Sequence, residues 1–313
     1  MNTRRLLYVG LGRIAQVHAR QLDPHEVEII GGVDPAEIDL VFRQRPVERF
    51  AELPTALDRC ATVADTVVIA SPTRLHAQHL VEVSEAMPFA AIWVEKPLAI
   101  DLEELELVNR IVAQHRGTIA GIFHAASAPE VAWARRYLPE LRRQHGEVTG
   151  IEQSFADAYA GLEAEHRRHT LLDPWIDSGI NALSILGSLS IPTVVAEQRW
   201  HSPLTVSARF VAEGVTGTLM CSWEVTQASK WTRLTFADGA VLRLEHQASA
   251  AALLVRNEVV STRGWTGERL DLHYRQAFDE LLSGSHPGVT LPKCLAWHQH
   301  LLAAQARRWR PWP

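Results

Sequence analysis

The chain has 313 residues, enough for two domains with cores of their own. A hydrophobic content of 47%, a charged content of 21% and a net charge of −5 describe an ordinary globular protein and exclude a general nucleic-acid or membrane surface. Cys60, Cys221 and Cys294 are far apart with no CxxC, which excludes a disulfide framework and a zinc site.

In chain order, residues 6–9 are a short apolar run ending at Gly10, read as a strand, and residues 13–22 contain no breaker and read as a helix. Further strands are expected at 27–33, 66–70, 90–94 and 118–123, with helices such as 75–87 and 102–115 between them. Strands that are apolar throughout and alternate with helices indicate a parallel sheet covered on both faces. The pattern then changes: a helix at 131–143, a strand at 150–156 and a helix at 175–189. Strand candidates follow at 194–201, 205–212, 216–223, 231–237, 240–244 and 251–255, without helices between them. Gly214 and the Asp238-Gly239 pair mark hairpins, so an open antiparallel sheet is expected, closed by helices at 270–282 and 293–308. No apolar run approaches about 18 residues, and the one before Gly10 is too short for the core of a signal peptide, so the expected location is the cytoplasm.

Gly10, Leu11, Gly12, Arg13, Ile14 and Ala15 form a G-x-G-x-x-A turn between a strand and a helix. The first glycine permits the turn, the second lets a pyrophosphate approach the backbone, and the small Ala15 lets helix and strand pack closely. Asp34 ends the second strand, 22 positions after Gly12. A carboxylate there accepts from ribose hydroxyls and repels a 2′-phosphate, and no basic residue follows until Arg43, so NAD is expected in preference to NADP. Ser71 is expected to cap the next helix with Pro72 at its first position, at the sheet edge where nucleotides lie. His76 lies one turn further on, as a cofactor contact or a partly exposed helical residue.

Residues 93–97 read WVEKP. Of 31 basic residues only Lys96, Lys230 and Lys293 are lysine. A lysine can donate to a reacting oxygen and exchange its proton, which an arginine cannot. Lys96, after a buried-type strand and beside Glu95, is the candidate for that role at the nicotinamide end of a dinucleotide. Further along, Asp177 and Asn181 are four apart and share a helix face, while Ile180, Leu183 and Leu186 turn toward a core. A carboxylate and an amide on an apolar helix mark a site; an aspartate that only satisfies helix amides is the alternative.

The segments GLGRIA (10–15), VEKP (94–97) and DSGIN (177–181), in this order and spacing, resemble the glucose–fructose oxidoreductase/inositol dehydrogenase (Gfo/Idh/MocA) family over nearly the whole chain. The resemblance implies an N-terminal Rossmann domain and a C-terminal α+β domain whose large open, mostly antiparallel sheet joins subunits into a homodimer or homotetramer. It implies oxidation or reduction of sugars with NAD(P), a catalytic Lys96, and a catalytic Asp and His at positions 177 and 181. Asn181 departs from that histidine and can take no proton. In this feature GINALSI (179–185) resembles the aldose 1-dehydrogenases of the D-galactose and L-arabinose type. An anomeric hydroxyl is more acidic than an ordinary alcohol, so Asn181 is expected to hold the sugar while Lys96 or Asp177 moves the proton. His124, Trp175 and His169 are assigned to the substrate.

The expected protein is thus an α/β chain with an NAD-binding domain over residues 1–123 and a substrate and oligomerisation domain over 124–313. Its expected reaction is oxidation of an aldose at C1 to the lactone. The alternatives are reduction of a keto-sugar or imine, and a non-catalytic dinucleotide sensor, which would need neither Lys96 nor Asp177. No metal is expected, since His166 and His169 lack a carboxylate–histidine set around them, and the basic tail 307–310 reads as a solvated helix end.

Overall fold

The computed structural model describes residues 3–159, 161–162, 172–212, 214–284 and 289–306. The chain divides into two compact units, residues 1–122 with 281–283, and residues 123–280 with 284–313.

The first unit runs β1 (Arg4–Val9), α1 (Arg13–Gln21), β2 (Val27–Val33), the short pairs β3 (Val41–Phe42), β4 (Arg45–Pro46) and β5 (Arg49–Phe50), then α2 (Leu53–Cys60) and β6 (Thr66–Ile69). It continues with α3 (His76–Ala86), β7 (Ala91–Glu95), α4 (Leu102–Gln114) and β8 (Ile119–Ile122). Six strands form one parallel sheet in the order β5-β2-β1-β6-β7-β8. That is the doubly wound order 3-2-1-4-5-6 with β5 as the third strand. Leu6, Leu7, Tyr8, Val67, Val68 and Ile69 are wholly buried, as strands covered on both faces require. Asp101 caps α4 by accepting from the Glu104 N–H at 2.8 Å, while Glu104 accepts from the Ile100 N–H at 3.0 Å. The sequence pattern leaves β3, β4 and β5 unassigned, because strands of two residues carry no periodicity.

The second unit contains α5 (Pro129–His145), β9 (Val148–Ala156), a π-helical turn (Trp175–Gly179), α6 (Ile180–Ser188), β10 (Thr193–Ser202), β11 (Thr205–Ala212) and β12 (Val215–Ser222). Next come β13 (Ser229–Phe236), β14 (Val241–Glu245), β15 (Ala250–Val255), β16 (Glu258–Gly264), α7 (Arg269–Ser283) and α8 (Leu291–Ala306). Among the described residues its eight strands are ordered β10-β11-β12-β9-β13-β14-β15-β16, and only the β9–β12 pair is parallel. One face is covered: on β11 the alternate residues Val206, Ala208, Phe210 and Ala212 are buried. The opposite face exposes Val194, Val211 and Met220. β16 is exposed along its whole length and shows no alternation, which is why its sequence does not reveal it. Among the described residues no helix is long and apolar enough to cross a membrane.

The helix expected over 175–189 opens with the wider π turn. Asp173 Oδ1 accepts from the Trp175 and Ile176 N–H groups at 2.8 and 2.9 Å, and the Asp177 N–H reaches the Asp173 carbonyl at 3.1 Å. A regular α-helix begins only at Ile180.

Candidate functional site

Gly10 ends β1 with φ +92°, a conformation that suits glycine. A Cβ there would stand 2.6 Å from the Ala70 carbonyl and the Ser71 backbone, so the turn rests against the end of β6. β1 and β6 flank the point where the strand order reverses, which is where ligands lie in sheets of this kind. Apart from its chain neighbours, no atom of the described residues lies within 4 Å of where a Gly12 Cβ would be, and α1 starts without a side-chain cap. The exposed Arg13 and half-buried Ile14 begin the helix. Its first N–H groups are therefore left to an anion, and a pyrophosphate fits this cradle.

The Leu11 N–H donates to Asp34 Oδ2 and the Ala36 N–H to Oδ1, both at 2.9 Å. Each oxygen retains capacity to accept from a ribose hydroxyl. Arg43, the nearest basic residue in sequence, turns away to the Val27 carbonyl at 2.9 Å. Arg49 instead donates to the Asp34 and Ala36 carbonyls at 3.0 and 3.2 Å. β5 pairs with the end of β2 and so brings this cation beside Asp34, a juxtaposition invisible in the linear sequence.

Ser71 does not cap α3. A 3₁₀ turn, Thr73–Leu75, precedes that helix, and Ser71 Oγ bonds His79 Nδ1 at 2.9 Å. His76 is 2% exposed rather than a surface residue. Its Nδ1 lies 2.7 Å from the Pro97 carbonyl and its Nε2 2.8 Å from the Ser71 carbonyl. Burial pushes its pKa down against the pull of the two carbonyls, so at neutral pH only one of the two contacts carries a proton. His76 thus braces the loop after β6 against the loop after β7. Glu95 is a second brace: Oε1 lies 3.0 Å from His18 Nε2, and Oε2 accepts from the Lys96 N–H at 3.2 Å. Burial first, and the Glu95 charge second, raise the Tyr8 phenol well above its ordinary range. Lys96 follows β7, half-buried, with its N–H also directed at the Ile122 carbonyl (3.3 Å) and a cis bond to Pro97.

In the second unit, Asn181 Nδ2 donates to the Asp177 backbone carbonyl at 3.1 Å, which ties the start of α6 to the π turn. Asn181 is 6% exposed, and its Oδ1 has no partner among the described residues. Trp175 is a correction to the sequence reading. Its ring is fully buried and its Nε1 donates to the Leu301 carbonyl at 3.0 Å, so it belongs to the core rather than to a ligand. His124 has Nδ1 3.4 Å from His273 Nδ1 and packs against Tyr274 with ring centres 5.0 Å apart. Burial drives His273 well below the ordinary histidine range, so its 3.6 Å approach to Glu130 is not an ion pair. His169 lies outside the described residues.

The covered face of the second sheet carries polar groups that the strand patterns alone do not announce. Gln153 Nε2 donates to Thr232 Oγ1 (3.0 Å), which bonds His246 Nε2 (2.9 Å), whose Nδ1 meets Glu130 Oε1 (2.9 Å). Nearer the π turn, Lys230 Nζ lies 2.6 Å from Asp157 Oδ1. The scarcity of lysine that points to Lys96 points equally to Lys230. Among the described residues no group of three or more His, Cys, Asp or Glu could hold a metal ion.

Residues 4–122 match the Gfo/Idh/MocA model, an oxidoreductase family with an NAD-binding Rossmann fold. No curated protein matches the sequence. Solved structures share the fold over the whole chain. Myo-inositol 2-dehydrogenase from Lactobacillus plantarum is 16% identical with a TM-score of 0.76, covering 97% of each chain. UDP-N-acetylglucosamine 3-dehydrogenase from Acidithiobacillus ferrooxidans is 14% identical with a TM-score of 0.74, covering 98% of each. A 3-ketoreductase mutant from Actinomadura kijaniata, in complex with TDP-benzene and NADP, is 16% identical with a TM-score of 0.74, covering 97% of this chain and 98% of its own.

Proposed function

Taking residues 4–122 as the nucleotide-binding domain of a Gfo/Idh/MocA oxidoreductase, we propose that the protein is an NAD-dependent sugar dehydrogenase that oxidises C1 of an aldose to the lactone. The observation that carries this reading is the glycine turn at the strand-order reversal, with open space over Gly12, uncapped α1 amides and Asp34 bonded to the Leu11 N–H. The names of the structural neighbours support a sugar-type substrate.

Oxidation of an anomeric hydroxyl removes a hydride from carbon and a proton from oxygen, leaving the lactone carbonyl. A bound nicotinamide would supply the hydride acceptor. Gly10 to Ile14 and Asp34 would hold the pyrophosphate and ribose, and Ser71 and Pro72 line the same sheet edge. Lys96 hydrogen-bonds the reacting oxygen and carries its proton away, on a loop held by Glu95 and His76. Asp177 is the alternative acceptor of that same proton. Asn181 exchanges no proton, and its unpartnered Oδ1 is an acceptor suited to a sugar hydroxyl. His124 is assigned a contact with the substrate. The outer face of the second sheet, with exposed Val194, Val211 and Met220, is the surface through which subunits pair.

The test is purified protein with NAD or NADP and a panel of aldoses, followed by absorbance of the reduced nicotinamide and identification of the lactone. Turnover of an aldose with NAD supports the reading. Turnover only as reduction of a keto-sugar, or nucleotide binding without turnover, overturns it.

A further inference from the structure

Alternation along β13 directs residues 230, 232, 234 and 236 to the covered face of its sheet. Three of them, Thr232, Leu234 and Phe236, suit a closed interior; Lys230 does not, yet it is 7% exposed. Its ammonium is 2.6 Å from Asp157 Oδ1, on the residue that follows β9, and Asp157 is itself 5% exposed. The other oxygen of Asp157 accepts from Ser178 Oγ at 3.3 Å, and Ser178 Oγ accepts from the Trp223 indole N–H, also at 3.3 Å. Ser178 stands in the π turn next to Asp177. Four segments therefore converge on one buried ion pair: β13, the end of β9, the end of β12 and the π turn.

A buried ion pair is seldom better for stability than apolar residues of the same size, so its presence calls for another explanation. We propose that Lys230, through Asp157 and Ser178, is a positioning residue for Asp177, fixing the turn that presents this carboxylate and balancing its charge. The proposal rests on the catalytic role assigned to Asp177 above. Burial is the largest influence on Lys230 and pushes its pKa down; Asp157 and, more weakly, Asp177 pull it back up, and Arg269 on α7 opposes them. Asp173 lies ahead of the turn, and the Cys221 thiol on β12 is raised by burial first and then by Asp157, Asp173 and Asp177. Coupling between two charged sites is mutual, so a measurement on the lysine reports on the aspartate.

The chain makes that measurement simple, because it has three lysines. Lysine labelled with ¹³C at Cε gives three NMR signals in the full chain, assigned by Lys96→Arg, Lys230→Arg and Lys293→Arg. The Lys230 signal is expected to titrate below the ordinary lysine range, and Asp177→Asn is expected to lower its midpoint further, by roughly half a pH unit or more. Lys230→Met is expected to lower kcat about tenfold or more with nucleotide affinity unchanged, and Lys230→Arg to restore part of it. An Asp177→Asn variant that leaves the Lys230 midpoint unmoved overturns the proposal, as does wild-type kcat in Lys230→Met. If Lys230→Met does not fold, the Asp177→Asn titration still decides, since Asp177 is partly exposed. If the wild type turns over no sugar, the function proposed above fails while the lysine titration stands as a separate result.

Discussion

Lys96 is assigned a proton exchange that an arginine, always charged, is unable to make, whereas Lys230 is assigned a fixed charge. Lys96 was legible from its scarcity and from the strand before it. Lys230 shared the first signal, but its partner Asp157 lies 73 positions away in sequence and only the pairing of β9 with β13 brings them together. Asp34 was legible as the end of the second strand, whereas Arg49 beside it was not, because the two-residue strand that delivers it is too short to be read. This pair gives a prediction for cofactor choice. Asp34→Ala removes the carboxylate that repels a 2′-phosphate and leaves Arg49 in place. The ratio of kcat/KM for NADP to that for NAD should rise about tenfold or more, measured on the substrate found in the panel. An unchanged ratio would mean that Asp34 serves only the backbone amides it binds.

At the scale of elements, the two glycines of the first turn separate folding from binding. A Gly10 side chain would meet backbone atoms at 2.6 Å in a left-handed conformation, so Gly10→Ala should lower both Tm and nucleotide affinity. Gly12 has φ −64° and open space around its Cβ position. Gly12→Ala should therefore keep the wild-type Tm within about a degree or two while weakening NAD binding about tenfold or more, because the methyl group fills the space left for the pyrophosphate. Calorimetry and a binding titration on the same samples check both. The long elements were readable from their apolar runs and alternation. The π turn was not: it is accompanied by Asp173 accepting from two N–H groups, and Trp175 at its start is buried in the core.

For the molecule as a whole, His76 in the first unit and His273 in the second are buried with pKa values pushed down, mainly by desolvation. The unfolded chain takes up protons at these residues near pH 6.5 while the folded chain does not, so stability is held above that pH and lost as pH falls below it. Tm should drop between pH 6.5 and 5, and His273→Gln should flatten the drop; a variant with the wild-type slope would show that the acid sensitivity arises elsewhere. Lys96→Ala tests the proposed catalysis most directly. In this variant kcat on the aldose should fall about a hundredfold or more while NAD binds within a few-fold of wild type. Near-normal turnover by Lys96→Ala would contradict it.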